Sequence, residues 1–479
     1  MKRLLLTQIF LVLLANQIQS QELTAKIPNT DVVSKAGAIP SSGYFSPVIL
    51  AHSECISNAT RAEVRQIIAA NKRQIKETNP TAFNQKGSHP LFILPIKAKD
   101  GFNDYGFYTV HNQVDHNSTP NNNLLDYNCG QRTYDWATGN HKGTDYILWP
   151  YPWKNMQEEI MEIIASADGI IIDKRDGNFD LNCANNGNPN WNGIVLEHPD
   201  GSQSWYWHFK NGAITSKNVG DTVVAGEYLG AAGSSGSSDW PHLHFEVYDS
   251  NNNIIDPYEG NCNSMNPDSW WQSQPNYFVP MINKISTHNT TQFDDACPVI
   301  ENTYGQLNFF PGDDLIIRLF YRDIQQGAVT SFTLLDPDGQ VYTTWNWTQN
   351  WGQDYATAHA HWQFAVTAAW PEGVYTMQAT FGGEVYETIF GVGTSLGIES
   401  NAIPEFTLYP NPISETLFIE GTEPMNQITM YDIKGRKVLE NKVNNSNATL
   451  QVGRLNTGVY FVHIGTQGGR MSTHKVIKK

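Results

Sequence analysis

Three short histidine-bearing segments follow one another between positions 141 and 245 of this 479-residue chain. They are His141-Lys142-Gly143-Thr144-Asp145, Trp205-Tyr206-Trp207-His208, and Pro241-His242-Leu243-His244-Phe245. Together they offer two imidazoles and a carboxylate for a metal ion, with two further imidazoles for proton transfer. Three protein ligands leave one coordination position open, which is typical of catalytic zinc sites. The segments therefore predict a catalytic metal centre.

The local backbone around these histidines is predicted from residue periodicity. Alternate residues of a strand point to the same face, so His242 and His244 are expected side by side, and Tyr206 and His208 likewise. Glycine is a poor helix residue, so the segment around Gly143 is expected at a turn or at the end of a strand.

Charge and hydropathy restrict the setting of this centre. The formal net charge of -16 argues against nucleic acid and anionic membrane surfaces, because both attract clustered Lys and Arg. At the N-terminus, Lys2 and Arg3 precede a short apolar run from Leu4 to Ala15, which predicts a secretory signal cleaved near Ser20. That run is too short to span a bilayer comfortably, and no other stretch is apolar enough. We expect an exported chain without a transmembrane segment.

The five cysteines form no Cys-x-x-Cys pair, which argues against a thiolate zinc site. An exported chain can hold disulfides. The sequence does not fix their connectivity, and the pairings we consider are Cys129 with Cys183 and Cys262 with Cys297. An odd count leaves at least one free thiol or an intermolecular bond.

Turn signals and short apolar runs predict a mostly β chain with one clear N-terminal helix. The helix is expected over Thr60 to Lys76, with Thr60 and Glu63 forming a capping box. The expected divisions are a signal peptide (1–20), a mixed N-terminal region (21–125), an antiparallel β domain with the histidine segments (126–280), a β-sandwich (296–393), a linker (394–404) and a C-terminal β domain (405–479).

The histidine segments resemble those of the lysostaphin-type zinc metallopeptidases, which cleave peptides of bacterial cell walls. That family shows His-x-x-x-Asp, an aromatic-x-His, and a Gly-rich loop followed by His-x-His-Phe, and all three occur here in order. The resemblance covers about Asp126 to Asp256. It implies an antiparallel β fold of the duplicated hybrid motif type, with peptidoglycan peptides as substrate. One departure is Trp207, which stands where a small residue is common and affects the expected shape of the groove.

The same resemblance implies a role for each site residue. His141, Asp145 and His244 would bind one Zn²⁺, and His208 and His242 would act as acid and base around a zinc-activated water. Which of the two histidines is the base stays open. The N-terminal region (21–125) would be a pro-segment or an inhibitory cover.

The C-terminal segment resembles a type IX secretion sorting domain. The motifs are Tyr409-Pro410-Asn411-Pro412, Gly458-Val459-Tyr460-Phe461-Val462 and the terminal Lys475-Val476-Ile477-Lys478-Lys479. The resemblance implies a Gram-negative source, export through the periplasm, contact with the secretion machinery, and a secreted or cell-surface product.

Two alternatives stand beside this interpretation. A second His-x-His, at His359 and His361, lacks an Asp-bearing partner motif, so we expect a solvated strand pair there. For the whole chain, the alternative function is a secreted, non-catalytic protein that binds cell walls through its β domains.

Overall fold

The structure is a computed structural model. It describes residues 25–26, 30–34, 42–47, 55–84, 87–119, 123–137, 139–184, 186–293, 297–394, 406–432, 436–466 and 471–479. The expected signal peptide and most of the expected linker lie outside these residues. The chain divides into two compact units, Met1–Thr394 and Ser395–Lys479. None of the helices in the described part of the chain has the length and apolar character that a membrane crossing needs.

The described part of the first unit is mostly antiparallel β structure, as predicted. Its helices are α1 (Asn58–Thr78) and α2 (Pro152–Gln157). Its strands in chain order are β1 (Ala25–Lys26), β2 (Thr30–Ser34), β3 (Ser42–Pro47), β4 (Ile96–Ala98), β5 (Tyr108–Asn112), β6 (Asp135–Trp136), β7 (Gly139–Asn140), β8 (Thr144–Leu148), β9 (Met161–Ile164), β10 (Gly169–Arg175), β11 (Gly193–Glu197), β12 (Gln203–Trp207), β13 (Phe209–Ile214), β14 (Thr222–Val223), β15 (Tyr228–Ala232), β16 (His242–Tyr248), β17 (Ile254–Ile255), β18 (Met281–His288), β19 (Asn308–Phe309), β20 (Asp314–Ile324), β21 (Val329–Leu335), β22 (Val341–Thr348), β23 (Tyr355–Ala365), β24 (Gly373–Phe381) and β25 (Glu384–Val392).

Helix α1 begins two residues before the predicted start and uses a different cap. The Ser57 side chain accepts a hydrogen bond from the Thr60 backbone N–H over 3.0 Å, so Ser57 is the N-cap and the predicted capping box at Thr60 is wrong. Val64, Ile68 and Ile75 lie on one buried face of the helix.

Two sheets carry the histidine segments. The larger has the order β14-β10-β11-β12-β16-β8-β5, with β17 beside β16, and the smaller has the order β13-β15-β9-β4. A shared apolar core that includes Tyr206, Leu243 and Phe245 joins them. The opposite face of the larger sheet packs against α1, where Trp205 and Trp207 belong to one cluster with Val64 and Ile68. The alternation of strand side chains therefore separates a core face from a helix-covered face.

A β-sandwich follows, as the turn spacing predicted, but it recruits strands from the N-terminal region. Its sheets have the orders β1-β3-β23-β20-β18 and β19-β25-β24-β21-β22-β2. Strands β1 to β3 thus complete sandwich sheets, while β4 and β5 join the sheets of the histidine segments. The division of 21–393 into three domains stays a prediction, since the structure joins these residues in one compact unit.

The second unit is a β domain, as predicted. Its described strands are β26 (Phe406–Tyr409), β27 (Thr416–Asp432), β28 (Lys437–Gln451), β29 (Gly458–Thr466) and β30 (Met471–Lys478). They form one antiparallel sheet in the order β26-β27-β29-β30, with β28 paired to β27. Alternate apolar residues such as Leu417, Ile419, Ile428 and Val462 build its core.

The disulfides join other cysteines than the sequence suggested. Cys129 pairs with Cys262, and Cys183 pairs with Cys297, so both predicted pairings are wrong. The expected unpaired thiol is Cys55, which is buried.

Candidate metal centre

Strand register brings the first and third histidine segments together. Asp145 on β8 lies directly opposite His244 on β16, and His141 directly follows β7 in the short connection to β8. Gly143 permits this approach, because a Cβ there would lie 2.7 Å from the His244 Nε2 atom and 2.7 Å from the Phe245 carbonyl oxygen. Any larger residue at position 143 would push the two segments apart.

The three side chains that the resemblance assigns to the metal lie close together. The His141 Nε2 atom lies 3.1 Å from Asp145 Oδ2, and the His244 Nδ1 atom lies 2.8 Å from Asp145 Oδ1. The two ring nitrogens are 3.1 Å apart, and all three side chains are buried. Burial alone would raise the pKa of the Asp145 carboxyl, but the adjacent His141 and His244 outweigh it and hold that pKa well below its usual range. Two imidazoles and an ionised carboxylate fit zinc.

Outer hydrogen bonds set which nitrogen of each ligand faces the centre. The His141 Nδ1–H donates to the Gln113 carbonyl oxygen over 2.7 Å, which leaves Nε2 bare for a metal. The His244 Nε2–H donates to Glu246 Oε1 over 2.8 Å, which leaves Nδ1 for the same ion. The Asn112 amide donates to Asp145 Oδ2 over 2.9 Å. Such carboxylate and carbonyl partners orient ligands in metal sites.

The remaining two histidines present their Nε2 atoms to the same centre. A carbonyl oxygen can only accept, so Nδ1 carries the proton where His208 donates to Ser235 and where His242 donates to Trp240, each over 2.6 Å. The two rings lie 4.5 Å apart between centroids. Burial lowers the pKa of His242, and burial with the neighbouring imidazoles holds the pKa of His208 well below its usual range. Both bare Nε2 atoms can accept a proton.

His208 reaches this face by leaving the strand geometry. It follows the end of β12 with a φ of 71°, in the left-handed region that non-glycine residues rarely adopt. Tyr206 meanwhile packs in the core on the other side of the sheet. The expectation that Tyr206 and His208 share a face is therefore wrong, because strand alternation stops at Trp207.

Cys55 also reaches the centre, which sequence reasoning missed. Its thiol donates to His208 Nε2 over 3.0 Å, and its Sγ atom lies within 4.8 Å of ring nitrogens of His242 and His244. Burial raises the pKa of the Cys55 thiol. The odd cysteine count was the one signal, but no spacing rule links position 55 to position 141.

Residues 55–57, which lead into α1, form a covering segment over the sheet face beside the centre. The Arg61 guanidinium on α1 lies 2.5 Å from Glu246 Oε1, and both side chains are buried. Trp207 packs against Trp191 with ring centroids 3.6 Å apart, beneath the same segment. The space left between Cys55 and Trp207 is about 20 Å³, enough for one water molecule and too small for a peptide.

The other histidines that the sequence drew attention to have separate environments. His359 and His361 are buried in the sandwich at 8% and 7% exposure, so the expectation of a solvated pair is wrong. His359 packs against Phe293 and Phe320, and His361 lies opposite the buried Arg318 of β20. Among the described residues, the groups of His, Cys, Asp and Glu close enough to share a metal ion both include His244.

Comparisons with known proteins identify two parts of the chain. Residues 140–257 match the family model described as Peptidase family M23, and residues 407–479 match the one described as a secretion system C-terminal sorting domain. The glycyl-glycine endopeptidase ALE-1 of Staphylococcus capitis is 31% identical over 140 residues, which are 29% of this chain and 33% of that protein. The chain thus spans about one third of the length of this curated relative.

Two solved structures also align with the chain. The catalytic domain of lysostaphin from Staphylococcus simulans is 24% identical, covers 33% of this chain and 89% of its own, and has a TM-score of 0.19. Lysostaphin from the same organism is 18% identical, covers 55% and 86%, and has a TM-score of 0.21. On these family matches, residues 140–257 are a peptidase family M23 domain, and residues 407–479 are a type IX secretion sorting domain, which directs export to the cell surface or the extracellular space.

Proposed function

We propose that this protein is an exported zinc metalloendopeptidase that hydrolyses peptide bonds of bacterial peptidoglycan. The carrying observation is the division of labour at the centre. His141 Nε2, Asp145 and His244 Nδ1 converge within 3.1 Å of one another, while His208 and His242 turn bare Nε2 atoms toward them. The peptidase family match over 140–257 includes all five residues and supports the same reaction class.

The ligand set has the composition of a catalytic zinc site. Three protein ligands, two imidazoles and one carboxylate, would hold one Zn²⁺ and keep a position for substrate chemistry. Bound zinc supplies Lewis-acid polarisation of the scissile carbonyl. His141 and His244 are each oriented by a second hydrogen bond, so the ligands are positioned in advance.

Proton transfer falls to His208 and His242. Each ring is anchored by its Nδ1–H on a backbone carbonyl, so only Nε2 is available for the reaction. One Nε2 accepts the proton of the attacking water, and the other donates to the oxyanion or to the leaving amine. The two environments are too alike for the geometry to assign the base, and that choice stays open.

The relatives support the proposed substrate class. A glycyl-glycine endopeptidase matches this region at 31% identity, so glycine-rich cross-bridges and stem-peptide links of peptidoglycan are the bonds to test. The second candidate is a secreted wall-binding protein without catalysis, in which the centre would bind metal but turn over nothing.

Mass spectrometry of defined wall fragments separates these functions. The full chain and its Cys55→Ala variant are loaded with zinc and incubated with polyglycine cross-linked and directly cross-linked fragments. Endopeptidase function predicts new amino and carboxyl termini, lost after chelation and restored by zinc. If both zinc-loaded chains leave every fragment intact, yet bind intact wall, the non-catalytic function replaces this proposal.

A further inference from the structure

Cys55 is the one cysteine outside the disulfides, and it lies against the metal centre rather than on the surface. Its side chain is buried at 7% exposure, while Cys129–Cys262 and Cys183–Cys297 account for the other four. The Sγ atom is 3.0 Å from His208 Nε2 and within 4.8 Å of ring nitrogens of His242 and His244. Cys55 and His208 are 153 residues apart in sequence, and their contact brings the thiol to the nitrogen proposed for proton transfer.

We propose that Cys55 is a fourth ligand of the metal centre and holds the protein latent. This rests on the proposed zinc site of His141, Asp145 and His244. Those three ligands leave one position open, and thiolate sulfur is among the strongest zinc ligands. On coordination the thiol releases its proton to solvent, and on release it takes one up, with no change of oxidation state. The Cys-x-x-Cys rule missed this site because only one ligand is a thiolate.

The thiol blocks proton transfer as well as the metal. The contact between Sγ and His208 occupies the Nε2 atom that the reaction needs. The remaining cavity of about 20 Å³ beside Trp207 admits a water molecule and no peptide chain. Trp207, which departs from the small residue common in the family, packs against the covering segment. Substrate therefore enters only after the segment moves or is cut.

The covering segment is fixed at a second point that also contacts the centre. Arg61 donates from Nη1 to the Ile56 carbonyl oxygen over 2.5 Å, which holds the backbone next to Cys55. The same guanidinium pairs with Glu246, the acceptor of the His244 Nε2–H. Displacing the segment leaves Glu246 without its cation, so the covered state is favoured until α1 is released.

Cobalt substitution tests the coordination directly in the full chain. A thiolate on Co²⁺ gives an intense near-ultraviolet charge-transfer band that histidine and carboxylate ligands do not give. We expect this band in the wild-type chain and its loss in Cys55→Ala. Ile56→Ala is the matched control, because it loosens the same segment and keeps the thiol, and it should retain the band.

The activity comparison measures latency separately from coordination. If the form in which Cys55 has left the centre makes up about one tenth of the wild-type population, Cys55→Ala should raise kcat/KM by about tenfold. Identical cobalt spectra in wild type and Cys55→Ala, or equal kcat/KM, would overturn the inference while the peptidase function stands. A chain that takes up no cobalt at all would overturn both.

Discussion

His244 and Glu246 lie two residues apart on β16, and the His244 Nε2–H donates a hydrogen bond to Glu246 Oε1 over 2.8 Å. Strand alternation puts both side chains on the metal-facing side of the sheet. The same carboxylate pairs with Arg61 of α1. Burial alone would raise the pKa of Glu246, but the Arg61 cation outweighs burial and lowers it. One buried carboxylate therefore contacts both a proposed metal ligand and the covering helix.

Replacing Glu246 with Gln should weaken both functions of this carboxylate. A carboxylate that accepts a hydrogen bond from a metal-binding histidine typically contributes about tenfold to a hundredfold in metal affinity, so we expect the zinc Kd to rise by about that factor. Breaking the buried pair with Arg61 should lower the free energy of unfolding by about 3 kcal/mol. Competitive chelator titration and urea unfolding measure the two effects.

Glu197→Gln is the control for that variant. Glu197 pairs with Lys72, also on α1, over 2.5 Å, but it has no contact with the five site residues. It should lower stability and leave the zinc Kd unchanged. Equal losses of zinc affinity in Glu197→Gln and Glu246→Gln would show that helix docking alone, and not the His244 hydrogen bond, accounts for the effect.

Substitutions of two histidines should separate metal binding from turnover. His141→Ala removes a ligand, so the purified chain should lose stoichiometric zinc. His242→Ala should keep its zinc and lower kcat by about 10²- to 10⁴-fold, the usual contribution of a general acid or base. Metal analysis and kcat on a defined wall peptide, both in the Cys55→Ala background, provide the comparison. Loss of zinc in His242→Ala would reassign that residue as a ligand.

The disulfide pairing has a direct chemical test. Peptide mapping without reduction should recover a Cys129–Cys262 link and a Cys183–Cys297 link, with Cys55 alkylated only after unfolding. Removing Cys183–Cys297 by double alanine substitution should cost about 2 to 5 kcal/mol, because the bond closes a long loop. Recovery of a Cys55 disulfide from native protein would contradict the described arrangement.

Acid should destabilise the sandwich through its buried histidines. Burial, reinforced by Arg318, lowers the pKa of His288 to about 3 and of His361 to about 4. These values lie below the unfolded value, so the stabilisation is present above pH ~6.5 and is lost progressively as the pH falls toward 4. Each of the two histidines should lower the free energy of unfolding by roughly 1 kcal/mol at pH 5.5, relative to neutral pH.

Tryptophan fluorescence during urea unfolding measures this effect in the first unit, which holds all 14 tryptophans. His361→Gln should show a smaller loss between pH 7.5 and 5.5 than wild type. An unchanged pH slope in His361→Gln would contradict the assignment.

The proximity of His141, Asp145 and His244 could be predicted from the sequence because their order and spacing match a known family and because strand alternation is regular. The same alternation, extended past His244, would have placed Glu246 on the metal face. It failed at His208, where a positive φ ends the strand. Strand alternation predicts side-chain direction only while the backbone stays extended, and at His208 it does not.

Long-range contacts were beyond those rules. Cys55 and Arg61 contact the site residues only because α1 packs on the sheet, and no sequence periodicity relates these positions to Glu246. The disulfide partners are 133 and 114 residues apart, so neighbouring cysteines in sequence were a poor guide. The burial of His359 depends on packing against Phe293 and Phe320, which no local pattern predicts.

Anomalous diffraction at the zinc edge from crystals of the zinc-loaded chain tests the central claim most directly. The account predicts one peak at about 2.0–2.2 Å from His141 Nε2, an Asp145 carboxylate oxygen and His244 Nδ1. His208 and His242 should lie outside bonding distance of that peak. A peak bonded to His208 or His242 in place of Asp145, or no peak at this position, would contradict it.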